Sequence, residues 1–341
     1  MDFTSPIRAI VVVAGLVVLA ACAGGSAMAP SPAGRDSVRD VRLGIISARP
    51  TTNHLRKHFV SYYSCPRAGS LRYVSDSNDN VINVYVGKFA GQAPCGQIAS
   101  SSLNVPAGLY VQNATRDLYV ANDFGHNILV FRRGQTSPYN TYTDPTGQYV
   151  YDVTTTTDGT VIASNVFQFC GNEGGSISTW VGGPNGGTFV GNFPTSNAAA
   201  DSFVTSRKNG TVYFDDFDKS SNLGAVWFMS CPAGACGAET LVAGVSLQYP
   251  GGMAFDDTGD LLVNDPKAIA ADTFELPNPK PSTFPLTGHP NGLAVNKINH
   301  HWFAADAANN IAYEYSYPGG KLIGSVPGNA GGTTIGIAVD P

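Results

Sequence analysis

Six short apolar runs along the chain each end in a single Asn or Asp, followed by a polar turn and a second apolar run. Successive Asn/Asp positions lie 46, 43, 51, 49 and 41 residues apart. Self-similarity at a period of this length, with several strands in each unit, is typical of a β-propeller. The pattern therefore predicts an all-β fold of six repeated units. We call these positions the strand-end residues: Asp76, Asn122, Asn165, Asp216, Asp265 and Asp306.

The unit that contains Asp306 illustrates the order of strands. A first strand is predicted at residues 290–295, a second ends at Asp306, and a third covers residues 311–315; residues 106–131 repeat this order. An Asn or Asp at the end of a strand commonly accepts hydrogen bonds from the backbone of its own turn. We therefore expect the strand-end residues to be structural, and a metal-binding or catalytic role for one of them is the minority alternative.

The two ends of the chain predict how the ring closes. No first strand precedes Leu71 in the N-terminal unit, whereas residues 334–340 form such a strand with no unit behind it. We expect the C-terminal strand to complete the N-terminal blade, which removes the exposed sheet edges that favour aggregation. The sequence thus predicts a closed six-bladed β-propeller, in a single domain covering residues 62–341.

The repeats resemble a known type of propeller repeat. Residues 118–131, LYVANDFGHNILVF, resemble an NHL repeat, and so do residues 76–85 and 306–315, with Asn80 and Asn310 in their turns. Blades 3, 4 and 5 depart from the pattern by longer turns. The resemblance therefore holds for the repeat and does not extend to one subfamily.

Composition agrees with a β fold and limits the choice of partner. The chain has 39 Gly and 22 Pro, and only four of its 25 acidic residues are Glu, so strong helix formers are scarce. The formal net charge is −5, and there is no basic patch. A nucleic-acid partner is not expected.

The N-terminus predicts export and a lipid anchor. Residues 9–21 are an apolar run of 13 preceded by Arg8. This is too short for a membrane-spanning helix, which needs about 20 apolar residues, and fits a signal peptide. The run ends in Leu-Ala-Ala-Cys, which resembles a bacterial lipobox with Cys22 as the lipidated residue. The resemblance implies a signal peptide at 1–21 and a lipidated, flexible tether at 22–61. An ordinary secretory signal with a chance cysteine is the alternative.

The lipobox resemblance also implies a location. More than one acyl chain on Cys22 would give stable membrane anchoring. No Asp follows Cys22, and by the sorting pattern of such lipoproteins this favours the outer membrane over the inner one. The propeller would then lie in the periplasm or at the cell surface, and we expect it to be a monomer.

The remaining five cysteines fit an oxidising compartment. Cys231 and Cys236 flank a predicted hairpin in blade 4, while Cys65 and Cys95 fall on one face of blade 1. We predict the disulfides Cys65–Cys95 and Cys231–Cys236, with Cys170 left over. A cysteine metal site is the alternative, although no CxxC or cysteine–histidine spacing supports it.

Candidate functional residues cluster at one mouth of the central channel. The loop that leads into each innermost strand and the loop after each second strand share one face of a propeller, which is a concave place suited to small ligands. Asp152, Asp201 and Asn291 are predicted near the axis on that face, and His126 and His289 lie in its loops.

The segment at residues 289–295 is similar to the segment that supplies a metal-binding Asn in gluconolactonase-like six-bladed propellers. The resemblance implies one divalent cation, calcium or zinc, held by Asn291 and Asp201, which would polarise a lactone and activate water. The chain departs from that family because it has no Glu at the start of blade 1 and has Gly251 where another ligand is expected. Asn291 as a turn residue and His289 as a solvated loop residue are the structural alternatives.

Two functions follow from these patterns. The incomplete ligand set, the low charge and the tyrosine-rich stretch of Tyr139, Tyr142, Tyr149 and Tyr151 favour a non-catalytic envelope module that binds a protein, a glycan or a small molecule. The alternative is a metal-dependent hydrolase or lyase of the gluconolactonase-like type. The sequence predicts no cofactor beyond that single cation.

Replacing Cys22 removes the sulfur atom that the lipobox resemblance marks for acylation. We expect Cys22→Ser to abolish fatty-acid labelling and partitioning into the detergent phase, both measured on the full chain. Cys170→Ser is the matched control and should label like the wild type. Wild-type partitioning of Cys22→Ser would contradict the lipoprotein prediction.

Overall fold

The computed structural model describes residues 59–66, 68–166, 175–182, 187–195, 203–218, 221, 223–276, 281–296, 298 and 300–340. Their strands, numbered β1–β25 in chain order, form six antiparallel sheets, which confirms the all-β prediction. Two short 3₁₀ helices, at Asp123–Gly125 and Pro232–Gly234, lie in loops between strands.

Each sheet is one blade of the propeller. Blade 1 contains β1 (Tyr62–Tyr63), β2 (Leu71–Asp76), β3 (Val81–Val86), β4 (Gly96–Ile98) and β25 (Thr334–Val339). Blade 2 contains β5 (Pro106–Val111), β6 (Leu118–Asn122), β7 (Asn127–Phe131) and β8 (Asn140–Thr143). Blade 3 contains β9 (Val150–Thr155), β10 (Val161–Asn165), β11 (Ser176–Val181) and β12 (Thr188–Pro194).

The remaining three blades have the same four-stranded order. Blade 4 contains β13 (Val204–Ser206), β14 (Thr211–Phe217), β15 (Gly224–Ser230) and β16 (Thr240–Leu241). Blade 5 contains β17 (Met253–Phe255), β18 (Leu261–Asp265), β19 (Ala270–Phe274) and β20 (Pro281–Pro285). Blade 6 contains β21 (Gly292–Asn296), β22 (His301–Asp306), β23 (Ile311–Ser316) and β24 (Leu322–Pro327).

The C-terminal strand closes the ring as predicted. The strand order in blade 1 is β1-β4-β3-β2-β25, so β25 takes the inner position that β5, β9, β13, β17 and β21 take in the other blades. The N-terminal strand β1 adds a fifth strand at the outer edge of the same blade, beside β4. Both ends of the propeller therefore meet in blade 1, and the six-bladed prediction is confirmed.

The apolar core is divided among the gaps between blades. One cluster joins Tyr73 of blade 1 to Val120 and Phe131 of blade 2, and another joins Phe303 of blade 6 to Phe89 of blade 1. Across the described residues there are six such clusters, one for each pair of neighbouring blades. Six gaps for six sheets occur only in a closed ring, so burial of apolar side chains stabilises the closure itself.

Strand-end residues behave as predicted in three blades. Asp76, Asp265 and Asp306 each accept a hydrogen bond from the backbone N–H three residues later, at 2.9–3.3 Å. The same carboxylates also accept N–H groups from the loop that leads into the inner strand, for example from Thr333 and His289. One side chain therefore holds two loops of a blade together, which the sequence pattern did not reveal.

The two asparagines among the strand-end residues use other partners. The Asn122 side chain accepts the N–H of Asn104 at 2.6 Å and donates to the carbonyl oxygen of Ser102. The Asn165 side chain donates to the Ser176 carbonyl oxygen and to the Ser178 hydroxyl. An amide both donates and accepts, so these positions satisfy carbonyl groups that a carboxylate would not.

A buried carboxylate just after β25 pairs with two arginines of blade 2. Asp340 is fully buried, and its carboxylate contacts Arg116 Nε at 2.5 Å and Arg133 Nε at 3.1 Å. Both arginines belong to blade 2. Removing either partner would leave a buried charge unpaired, which is costly. These contacts therefore hold the end of the C-terminal strand in place.

Both predicted disulfides are present. Cys65 is bonded to Cys95, and Cys231 is bonded to Cys236. Cys170 lies outside the described residues. The first bond joins the segment between β1 and β2 to the start of β4, so it ties the outer edge of the blade that contains both ends of the propeller.

The inner strands meet at one level, which we call the crossing position. In every blade, one residue of the inner strand pairs with the second-strand residue that lies two positions before the strand-end residue, and the crossing position is the residue directly before it. A Cβ atom on Gly336 would overlap the carbonyl oxygen of Ala107, and one on Gly292 would overlap that of Ile335. The six crossing residues are Gly108, Asp152, Phe203, Gly252, Gly292 and Gly336.

Side chains of the second strands form hydrogen bonds to the backbone at the crossing position. The Ser75 hydroxyl accepts the N–H of Gly336 at 2.7 Å and donates to the carbonyl oxygen of Ala107 at 2.8 Å. The Asn264 amide donates to the carbonyl oxygen of Gly292 at 3.1 Å. Backbone groups that face a neighbouring inner strand are thereby satisfied without a water molecule.

Adding a methyl group at the crossing position should destabilise the ring. We expect Gly336→Ala to lower the free energy of unfolding by about 1–3 kcal/mol or more, because β25 and β5 must move apart. Gly237→Ala is the matched control, since its new Cβ would lie 3.7 Å from the Ser230 carbonyl oxygen in an exposed turn. Denaturant unfolding of both variants measures the difference. Equal stabilities would show that β25 does not make this close contact.

Candidate functional site

A cavity of about 160 Å³ occupies the centre of the ring. All six inner strands line it, from the crossing position to the carboxyl ends of the strands. On β5 the lining runs from Gly108 to Val111, and on β25 from Gly336 to Val339. The cavity therefore lies between the crossing position and the face that carries the turns from first to second strands.

This is not the mouth to which the sequence pointed. Asn291, Ala107 and Ile335 precede the crossing position, on the opposite side from the cavity. The Gly252 N–H donates to the Asn291 carbonyl oxygen there, so neighbouring inner strands are in direct backbone contact. The cavity described above lies on the other side of that contact.

Asp152 lies one residue closer to the cavity along its inner strand than the repeat spacing indicates. It pairs with Ser164, and the register shifts between Ser164 and Asn165, so that Tyr151 takes the position equivalent to Asn291. The Asp152 side chain consequently lies at the crossing position and lines the cavity. It is the acidic residue at a position where four other blades have glycine.

The Asp152 carboxyl is buried and is held by backbone groups alone. Its Oδ2 atom accepts the N–H of Val204 on the next inner strand at 3.0 Å. Burial raises its pKa to about 7, and the N–H groups of Val204 and Val153 only partly offset that effect. A carboxyl that titrates near neutral pH inside a cavity can bind a cation or exchange a proton, and such perturbed groups are candidates for functional sites.

Phe203 occupies the crossing position of blade 4. It lines the cavity at the start of the inner strand next to that of Asp152, and its ring contacts Tyr151 edge-on at 5.4 Å. Asp152 and Phe203 thus carry side chains at a level where the other blades have glycine. The cavity is therefore asymmetric, with these two residues on the side of blades 3 and 4.

Asn291 is engaged mainly through its backbone. Its N–H donates to the Ala305 carbonyl oxygen at 2.6 Å, and its own carbonyl oxygen accepts from Gly252. The residue is buried, with 9% of its surface exposed. These contacts fit a structural residue at the start of an inner strand. Asp201, its predicted partner in holding a metal, lies outside the described residues.

The two candidate histidines are oriented by main-chain carbonyl groups. His289 Nδ1 lies 2.9 Å from the Pro266 carbonyl oxygen, and His126 Nδ1 lies 3.0 Å from that of Gln148. Since a carbonyl oxygen only accepts, each Nδ1 donates this hydrogen bond. Among the described residues, no three His, Cys, Asp or Glu side chains are grouped so that they could hold a metal ion.

Asp123 is a buried carboxyl that sequence reasoning missed. It follows the strand-end residue Asn122 directly and is 5% exposed. Its Oδ1 atom has no hydrogen-bond partner among the described residues, and burial raises its pKa to about 7. The available signal was an acid at a position where other units have Ser77, Val166 or Pro266.

The tyrosine-rich stretch is largely packed between blades. Tyr142 and Tyr151 are buried, and the Tyr139 hydroxyl donates to the Asp117 carboxylate at 2.7 Å. Tyr149 contacts the His126 ring at 4.7 Å. Tyr139 and Tyr142 therefore belong to the contact between blades 2 and 3, and Tyr151 packs against Phe203 of blade 4, so these residues do not form a free aromatic surface.

Comparisons with known proteins support the propeller fold and assign no function. No protein-family model and no curated protein sequence matches the chain. A solved structure from the nidogen/laminin complex shares 12% identity with a TM-score of 0.60, covering 80% of this chain and 99% of that one. A functionally unknown protein from Desulfotomaculum acetoxidans DSM 771 shares 13% identity with a TM-score of 0.56, again covering 80% and 99%. A protein of unknown function from Bacteroides caccae shares 12% identity with a TM-score of 0.55 and the same coverage.

Two observations concern the compartment. The disulfides Cys65–Cys95 and Cys231–Cys236 indicate an oxidising, extracytoplasmic environment. Within the part of the chain that the structure describes, no helix is long and apolar enough to cross a membrane.

The buried carboxyls predict a specific pH dependence of stability. Because the folded pKa values of Asp152 and Asp123 lie near 7, above the ordinary value of 3.8, the folded protein keeps protons that the unfolded chain loses. The free energy of unfolding should therefore fall as the pH rises from about 4 to about 7, by up to about 4 kcal/mol for each carboxyl.

Urea unfolding across this range, with Asp152→Asn and Asp123→Asn, measures the two contributions separately. Each variant should flatten the pH profile relative to the wild type and gain stability above about pH 7. Asp257→Asn, at an exposed turn, is the control and should keep the wild-type slope. A wild-type slope in Asp152→Asn would mean that this carboxyl titrates in its ordinary range.

Proposed function

We propose that the protein is a lipid-anchored module of the bacterial cell envelope that binds a ligand without converting it. The observation that carries the proposal is the central cavity, which contains one buried carboxyl on an otherwise uncharged wall. A closed ring with backbone contacts at its crossing position offers a preformed site, and preformed sites bind with little ordering cost.

Other observations support the envelope part of the proposal. The two disulfides fit an exported domain, and the lipobox-like residues before Cys22 would attach it to the outer membrane. A propeller of similar fold comes from the nidogen/laminin complex, which is compatible with a binding role, although propellers host many functions.

The alternative is a metal-dependent hydrolase or lyase of the gluconolactonase-like type. One observation favours it: His126 and His289 each donate Nδ1–H to a main-chain carbonyl, the orientation that metal-binding histidines commonly show. The ion, calcium or zinc, would be held by Asn291 and Asp201 on the same face. Its chemistry would be polarisation of a lactone carbonyl and activation of water.

Turnover assays on the full chain distinguish the two functions. We expect no hydrolysis of lactones or related esters in the presence of calcium or zinc, and we expect Asn291→Ala and Asp201→Ala to leave ligand binding in the central cavity unchanged. Asn209→Ala, the same substitution on the opposite face, is the control. Robust metal-dependent turnover that Asn291→Ala abolishes would contradict our proposal and establish the alternative.

A further inference from the structure

The wall of the central cavity carries a charge that the protein does not neutralise. Among the described residues that line the cavity, only Asp152 and Tyr110 are titratable. No cationic side chain of the described residues forms an ion pair with Asp152. A buried carboxylate without a cationic partner is costly, so a positively charged ligand is the group that would complete this site.

The arginine that directly follows the lining residue Ser206 is already engaged. Arg207 follows the last residue of β13, but its guanidinium donates to the Gly259 carbonyl oxygen at 2.6 Å and lies 4.8 Å from the centre of the Phe255 ring. On the other side of Asp152, the β5 strand presents Gly108, which has no side chain. The carboxyl thus faces the cavity with two backbone donors as its partners.

Apolar and polar residues share the rest of the wall. Tyr110, Phe203, Phe255, Met253 and Leu293 line the cavity, and so do Asn113, Thr154, Thr205 and Ser206. Aromatic faces attract ammonium groups, and the effect is larger where water is excluded. Among the described residues, this wall has one carboxyl and no group of three His, Cys, Asp or Glu side chains that could hold a metal ion, so we favour an organic cation over calcium.

We propose that the central cavity binds a small alkylammonium ion, with its charge on Asp152 and its alkyl groups against Phe203 and the neighbouring apolar residues. The cavity volume of about 160 Å³ is close to that of an engineered cavity of about 150 Å³ that binds benzene, so a ligand of about that size fits. The inference rests on the proposed binding function and names the ligand class of that site.

Charge recognition sets the expected pH dependence. Loss of a proton from Asp152 must precede ion pairing, so affinity should rise as the pH increases through about 7. Gly108 on β5, Val204 on β13 and Ser164 on β10 surround the carboxyl without charge. Tyr110, whose pKa burial raises above its ordinary value, stays neutral over this range.

The test uses the full chain in detergent and measures calorimetric binding and thermal melting with tetramethylammonium chloride. Neutral tert-butanol is the size-matched probe, and sodium chloride keeps the ionic strength equal. We expect saturable binding and a raised melting temperature at about pH 8, weaker binding at about pH 5.5, and little effect of tert-butanol. Asp152→Asn should lower the affinity about tenfold or more, which is about 1.4 kcal/mol.

Asp123→Asn is the matched control, because it removes an equally buried carboxyl that does not line the cavity. It should bind tetramethylammonium like the wild type. Equal affinity of tert-butanol, unchanged affinity in Asp152→Asn, or no saturable binding at about pH 8 would each overturn the inference. The wild-type pH profile tests it even if Asp152→Asn folds poorly. None of these outcomes affects the anchoring and turnover assays, so failure here is distinguishable from failure of the proposed function.

Discussion

Direct backbone contact between inner strands at the crossing position is the constraint on which the rest of this propeller depends. Four of the six crossing residues are glycine, and at Gly336 or Gly292 any side chain would overlap a neighbouring carbonyl oxygen. Short polar side chains of the second strands, such as Ser75 and Asn264, satisfy the backbone groups at that level. The cavity lies on the carboxyl-terminal side of this contact, so the contact that holds the inner strands together also forms the base of the candidate ligand site.

Ring closure depends on a strand far from the rest of its blade in sequence. Strand β25 belongs to blade 1, and the apolar clusters on both sides of that blade include its side chains Ile337 and Ala338. Asp340 then fixes the end of the strand through Arg116 and Arg133 of blade 2. Loss of this strand would remove parts of two interblade clusters and leave the two arginines without their acid. Closure is therefore cooperative, because the last segment of the chain is packed on both sides at once.

The fold was predictable from sequence because periodicity survives in every unit, whereas the site depended on local register. The strand-end residues gave the number of blades, and the chain ends gave the closing strand. The faces of blade 1 gave Cys65–Cys95, because a residue before the second strand and one before the fourth share a face. The repeat spacing predicted Asp152 at the position equivalent to Asn291. The register shift beside Ser164 places it one residue later, at the crossing position. Asp123 was missed because the repeat pattern marks it only as an acid where other units have Ser77, Val166 or Pro266, which does not show that it is buried.

A charge at position 152 is not needed to join neighbouring inner strands, because uncharged side chains do this in other blades. A structural role alone therefore does not explain why this residue is an acid. In blade 5, Asn264 satisfies a neighbouring inner strand with an uncharged amide, and in blade 1 Ser75 does so with a hydroxyl. An Asn at position 152 could accept the Val204 N–H through its own oxygen without placing an acid in a desolvated wall. A carboxyl there instead weakens the folded state as it ionises, since its pKa is raised to about 7. A ligand that brings the missing positive charge would offset this cost, which is why we propose a cationic ligand for the cavity.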